Sequence, residues 1–248
     1  MKFNQVAVGL IAFCVSGMVA ADQIRIAVAS NFYVPMLEIA RQFELTSSHS
    51  VVISAGSSGK LYAQIVHGAP FQIFFSADTE KPLALVEQSL ADDDSLFSYA
   101  VGRLVLWSSA QDTDVESLLR NGTYSKLALP NPRLAPYGRA AVEVLMSLDE
   151  GIEAESSRWV LGENVSQTWQ FANTGNTDLG FVALSQIRSS GSQSGSYWVV
   201  PRQMHAPIRQ DAVVLVGYEQ SVAVNEFLDF LKGHKGQAII YAYGYEAE

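Results

Sequence analysis

Runs of β-branched and other apolar residues alternate with segments whose apolar positions recur at helical spacing, and this alternation narrows the possible folds more than any other feature. Ile24 to Ala29 reads as a strand, and Val34, Leu37, Ala40 and Phe43 then follow at helical spacing. Val51 to Ala55 is a second strand, followed by a helix with Leu61 and Ile65 on one face; Phe71 to Ser76 is a third, followed by Leu83, Val86 and Leu90. This β-α-β-α-β order predicts a mostly parallel sheet covered on both faces. Asp92-Asp93-Asp94 reads as a solvated turn. Beyond it a second series begins with a strand over Arg103 to Trp107. Strands over Lys126 to Leu129, Leu179 to Leu184, Tyr197 to Val200 and Ala212 to Val216 alternate with helices over Arg139 to Met146 and Val165 to Ala172. Helices over Val222 to Lys232 and Gly236 to Tyr243 close the chain, and the Ser/Gly-rich stretch Ser189 to Ser196 reads as a surface turn.

The N-terminus has the pattern of an export signal over residues 1–21: Lys2, an apolar core from Val6 to Val15, and small Val19-Ala20-Ala21 before Asp22. The apolar core is too short to span a bilayer, and no later apolar stretch reaches that length. Cleavage there would leave 248 − 21 = 227 residues, enough for one large domain or two smaller ones. The only cysteine, Cys14, lies within the signal, so the mature chain is expected to hold no disulfide, catalytic thiol or thiolate metal site. The formal charge of −9 argues against nucleic acid or an anionic membrane as partner. It also means that any bound anion must be held by local donors against an unfavourable general field.

Four segments share one arrangement, in which small, hydroxyl-bearing or turn residues immediately precede a helix. They are Ala29-Ser30-Asn31-Phe32, Gly56-Ser57-Ser58-Gly59-Lys60, Ala135-Pro136-Tyr137-Gly138 and Glu163-Asn164-Val165-Ser166. A helix start leaves N–H groups without internal partners and carries partial positive charge, so it suits an anion. Open α/β sheets bind their ligands at the carboxyl ends of the strands, where these turns fall. Each turn alone is explained by ordinary capping. Together, two in each half, they suggest an anion site without deciding it.

Other chemistries find less support. Gly56 to Lys60 approaches a phosphate loop, but Ser54 stands at its first glycine and Leu61 follows the lysine. No nucleophile-elbow motif occurs, and no recognisable nucleophile, base and orienting group stand together. His49, His67, His205 and His234 lack metal-ligand spacing, and Tyr241, Tyr243 and Tyr245 read as packing or interface residues.

The quoted turns, with Gly68-Ala69-Pro70, Phe74-Phe75-Ser76-Ala77-Asp78, Asn131-Pro132 and Leu179 to Ser185, resemble the periplasmic molybdate-binding proteins of ABC importers, the ModA family. The likeness covers nearly all of the chain after the signal, with the motifs in family order. It implies a two-lobed type II periplasmic-binding-protein (Venus flytrap) fold in the α/β class. Each lobe would be a mixed, mostly parallel sheet flanked by helices, and two crossover strands would join them. Lobe I would comprise residues 22–100 plus 210–248, and lobe II residues 101–209.

The same resemblance implies a periplasmic protein that captures molybdate or tungstate between the lobes, using neutral hydrogen-bond donors, and delivers it to a membrane permease. It implies no catalysis, no cofactor and no free metal ion, and a monomer that binds no nucleic acid. The positions matching the family's ligands are Ser30 and Ser58 in lobe I, Tyr137 and Val165 in lobe II, with Asn31 a donor in one branch. Some members supply a tyrosine from the strand matching Phe181 to Leu184; here that position is Ala183, and Tyr137 stands where those members have a small residue. Alternative readings are a same-fold protein for sulfate, phosphate or ferric iron, a secreted hydrolase, and a sensory protein without transport.

Overall fold

A computed structural model describes residues 22–148, 157–189, 191 and 195–247. The expected signal over residues 1–21 lies outside the described residues, as does part of the Ser/Gly-rich turn. The strands are β1 (Gln23–Ala29), β2 (Ser50–Gly56), β3 (Ile73–Phe75), β4 (Phe97–Gly102), β5 (Leu104–Ser108), β6 (Leu127–Pro130), β7 (Trp159–Gly162), β8 (Leu179–Ala183), β9 (Ser196–Val199) and β10 (Ile208–Val214). They form two five-stranded sheets, ordered β2-β1-β3-β10-β4 and β7-β6-β8-β5-β9. Within each sheet the first three strands are parallel, and the remaining pairings are antiparallel. The sheets are therefore mixed, with as many antiparallel as parallel pairings.

The helices are α1 (Tyr33–Glu44), α2 (Ser58–Val66), α3 (Glu80–Glu87), α4 (Val115–Arg120), α5 (Pro136–Leu148), α6 (Val165–Asn173), α7 (Leu184–Ser189), α8 (Val222–Lys232) and α9 (His234–Ala242). Alternation along β1 shows why the first sheet must be covered twice. Ile24, Ile26 and Val28 join Phe32, Met36, Ile39, Phe43 and Phe227 on one face, while Ala27 joins Leu61, Ile65, Phe74 and Leu85 on the other. The second sheet packs α5 through Ala140, Ala141, Val144 and Leu145, and its other face carries Trp107, Ala172 and Val182.

Two expected helix faces are rotated. In α1 the buried stripe is Met36, Ile39, Ala40 and Phe43, while Val34 and Leu37 are exposed. In α3 Leu85 is buried and Leu83 exposed, and Leu90 lies past the helix end. Both errors have one cause: several registers of apolar residues fit helical spacing, and only the sheet beneath selects one.

Among the described residues the chain passes between sheets twice. It leaves the first at Gly102 and enters the second at Leu104, then returns between Val199 and Ile208. The expected lobe limits at 100/101 and 209/210 thus fall inside β4 and β10. Near the first crossing Val101 and Glu246 exchange backbone hydrogen bonds, and Glu246 pairs with Arg103 and Arg202, one from each crossing segment.

Candidate functional site

Local sequence builds the four turns as intended by their capping residues. Ser57 caps α2 by accepting from the Lys60 N–H, and Asn164 caps α6 by accepting from the N–H groups of Ser166 and Gln167. Proline at the first position of α5 has no N–H to satisfy. These caps leave the N–H groups of Ser58 and Val165, the first helical residues, without a carbonyl one turn back. Ser30 and Asn31 lie on a short 3-10 turn between β1 and α1.

All four turns converge. Ser30, Asn31, Ser58, Tyr137 and Val165, each no more than 8% exposed, line one cavity with Ala29, Gly56, Ser57, Ala77, Ala135 and Pro136. Its volume is about 10 Å³, far below the roughly 300–1,000 Å³ typical of pockets for drug-sized molecules. Ser30, Asn31 and Ser58 come from the first lobe, Tyr137 and Val165 from the second.

The lobes are drawn together around it. The Gly59 N–H donates to the Leu134 carbonyl (2.9 Å), and the Ser166 and Ser185 hydroxyls donate to the carbonyls of Ser30 (3.2 Å) and Asn31 (2.8 Å). Lys60 pairs with Glu163 at 2.7 Å across the cleft. Arg139 bridges to Asp78 and Glu80, each at 3.3 Å. The nearby cations are therefore occupied by carboxylates. A wider opening beside the cavity is lined by Asp78, Glu80, Arg139, Glu143 and Arg209, and its three carboxylates make it a poor seat for a dianion.

The polar groups lining the small cavity are uncharged. The Ser58 oxygen accepts from the Ala77 N–H (2.9 Å), so its own proton is free to point elsewhere. The Ser30 hydroxyl has no partner among the described residues. Burial, reinforced by the neighbouring Tyr245, pushes the Tyr137 hydroxyl well above its usual range, so it remains a protonated donor at neutral pH. What this geometry can do is bind a small anion through N–H and O–H dipoles. Among the described residues no group of three or more His, Cys, Asp or Glu stands where it could hold a metal ion.

The sequence pattern of the bacterial extracellular solute-binding proteins matches residues 24–246. The chain belongs to that family. This solute-binding protein is 44% identical over 229 residues to the molybdate-binding protein ModA of Azotobacter vinelandii, covering 91% of this chain and 90% of that one. It is 42% identical over 232 residues to the molybdate-binding protein ModA of Rhodobacter capsulatus, covering 92% and 90%. The solved periplasmic molybdate-binding protein of Azotobacter vinelandii superposes with a TM-score of 0.85 at 38% identity, covering 91% of this chain and 99% of that one. The two-lobed type II fold is shared with it.

Behind the cavity of this solute-binding protein lies a polar network that motif reading missed. Asn31 Nδ2 donates to Gln210 Oε1 (2.8 Å) and to the Tyr245 hydroxyl (3.0 Å). Both protons of that amide are thereby spent, so Asn31 faces the cavity with its main chain rather than its side-chain donor. The Tyr99 hydroxyl lies 2.9 Å from the Ser76 carbonyl oxygen and 3.0 Å from Gln210 Oε1, and the Tyr245 hydroxyl 2.8 Å from the Asn31 carbonyl oxygen and 3.1 Å from the Ser185 hydroxyl, each phenol having one proton to share between its two neighbours. Tyr245, read from sequence as a packing or interface residue, is buried in this network. Gln186 holds the start of α6, accepting from the Ala183 N–H (3.0 Å) and donating to the Val165 carbonyl (3.1 Å). The network members are far apart in sequence, so no local motif could have found them. His49 is a buried structural residue whose Nδ1 accepts from the Asp22 N–H (3.1 Å).

Proposed function

We propose that this protein captures molybdate, or the near-isosteric tungstate, in the periplasm and hands it to the membrane permease of an ABC importer, catalysing nothing and needing no cofactor. The observation that carries the reading is the convergence of uncharged donors from four helix starts, two in each lobe, on one small buried cavity. The names of the two relatives more than 40% identical support the choice of anion. The donors are the hydroxyls of Ser30, Ser58 and Tyr137 and the N–H groups of the turns, including that of Val165; Asn31 contributes through its main chain. Residues 1–21 act as the export signal, the lobes divide at the crossings near Arg103 and between Val199 and Ile208, and the mature protein works as a monomer that binds no nucleic acid.

Dipoles suit a dianion that must be held and later released, since no buried cation is left behind on release. Closure follows from the division of donors between lobes: only the closed state offers the whole set, and a ligand shifts an equilibrium by its differential affinity for the two states. Size sets selectivity. A smaller tetrahedron such as sulfate leaves donors beyond reach, and each buried unpaired donor costs about 1–3 kcal/mol. A protonated phosphate needs an acceptor that an all-donor shell lacks.

A melting panel with molybdate, tungstate, sulfate, phosphate and ferric citrate tests the reading. A ligand at ~1,000 times its Kd adds about 4.1 kcal/mol, which raises the melting temperature by about 8–16 °C for a chain of this size. Molybdate and tungstate should do so; stabilisation by sulfate alone, or by ferric citrate alone, overturns the assignment.

A further inference from the structure

We infer that Gln210 is a positioning residue of the anion site, its side-chain amide donating to the Tyr137 hydroxyl and so turning that hydroxyl's single proton into the cavity. The inference rests on the anion-binding reading of the cavity and adds to it a residue that need not touch the ligand.

Gln210 sits on β10, the strand that returns from the second lobe to the first, and is fully buried. Its pairing with β4 is interrupted by a register shift between Gln210 and Asp211. Such irregularities re-aim side chains, and here the amide reaches the rear of the cavity. Its oxygen faces Asn31 Nδ2 at 2.8 Å and the Tyr99 hydroxyl at 3.0 Å. Its nitrogen faces the Tyr137 oxygen at 3.4 Å. A phenol has one proton and acceptor capacity besides. When it accepts from Gln210, its proton must be given elsewhere, and the anion competes for it with the Tyr245 hydroxyl, which also hydrogen-bonds Tyr137. With the amide turned over, Tyr137 would spend that proton on Gln210 and offer the anion only lone pairs.

The backbone of the hinge is shaped around this pair. A Cβ at Gly102, the last residue of β4, would lie 2.1 Å from the Tyr137 hydroxyl oxygen and 2.5 Å from Gln210 Nε2. Only glycine lets the two side chains meet beside the crossing. Burial also keeps the Tyr137 hydroxyl protonated, as the arrangement requires.

A double-mutant cycle tests this. Molybdate affinity is measured by calorimetry for Gln210→Glu and Gln210→Met, each alone and combined with Tyr137→Phe. Glutamate keeps the acceptor for Asn31 and Tyr99 but presents oxygen rather than N–H to Tyr137, so the rest of the network stays paired. Methionine removes the donor without adding charge, and melts without ligand establish that each variant is folded. A hydrogen bond to a charged group corresponds to about tenfold or more in affinity. Each Gln210 change should cost about that factor when Tyr137 is present, and smaller than that by about threefold or more when phenylalanine has removed the hydroxyl. The methionine arm carries no charge, so its comparison between the two backgrounds is free of the repulsion that glutamate adds. Equal losses in the two backgrounds overturn the role, because a merely structural contribution of Gln210 does not depend on the Tyr137 proton. If the wild-type protein binds no tetrahedral oxyanion, the reading of the cavity itself falls and this role with it.

Discussion

Alanine at Ser58 and alanine at Ser30 should have different consequences, and the difference follows from one hydrogen bond. Ser58 is buried, and its oxygen accepts from the Ala77 N–H at 2.9 Å. Removing that oxygen orphans a buried N–H, which costs about 1–3 kcal/mol. For a chain of this size the ligand-free melting temperature falls by about 2–12 °C. The same change deletes a donor to a dianion, worth about 1.5–3 kcal/mol, so affinity drops by about 10- to 150-fold. Ser30→Ala removes a hydroxyl with no partner among the described residues, so it should lose affinity by a similar factor while leaving the ligand-free melt nearly unchanged. Calorimetric titration with molybdate and melts without ligand read the two quantities separately. If Ser58→Ala lowers the melt but leaves affinity intact, its hydroxyl is purely structural and the donor assignment is wrong there. If Ser30→Ala destabilises the ligand-free protein as much as Ser58→Ala does, the claim that its hydroxyl is spare is wrong.

Lys60→Met should change molybdate affinity by no more than about fivefold, because Lys60 is paired with half-exposed Glu163 and such pairs contribute about 0–1 kcal/mol; a hundredfold loss would make the lysine a ligand. Gly138→Ala should destabilise the second lobe by at least the roughly 1–3 kcal/mol of an overpacked site, since its Cβ would lie 2.2 Å from the Pro130 carbonyl oxygen, and an unchanged melt would contradict the close approach of α5 to β6. Burial raises the Asp211 carboxyl, with the Ser98 hydrogen bond and Arg209 opposing. The raised value means that the folded state favours protonated Asp211, a contribution present below the unfolded value and lost as pH rises through the folded one. Asp211→Asn should therefore stabilise the protein at neutral pH, with the gain fading in acid below the ordinary carboxylate range; melts across pH that show a gain only in acid would refute the sign.

Much of the fold could be read from the chain because β1-α1-β2-α2-β3 repeats a strong periodic signal with turn residues at each end. Strand β4 was missed because Phe97 to Ser108 changes sheets across the single residue Arg103, and only the lone Gly102 marks the step. The short helices α4 and α7 carry six residues each, too few for a helical period to stand out. In the site, the four turns were visible because donors at helix starts have local signatures. Gln210, Tyr245, Tyr99 and Ser185 were not, because their roles arise only when residues up to 214 positions apart meet behind Asn31. The commitment of the Asn31 amide to that network was equally invisible, since a sequence shows which donors exist but not which are already spent.

Diffraction at the molybdenum absorption edge, from crystals grown with molybdate, tests the account most directly. It predicts one strong anomalous peak in the cavity, with the hydroxyls of Ser30, Ser58 and Tyr137 and the Val165 N–H directed at the surrounding oxygens and every cation still on its carboxylate. A peak seated on Lys60 or Arg139, or at the acidic mouth of the cleft, would contradict it.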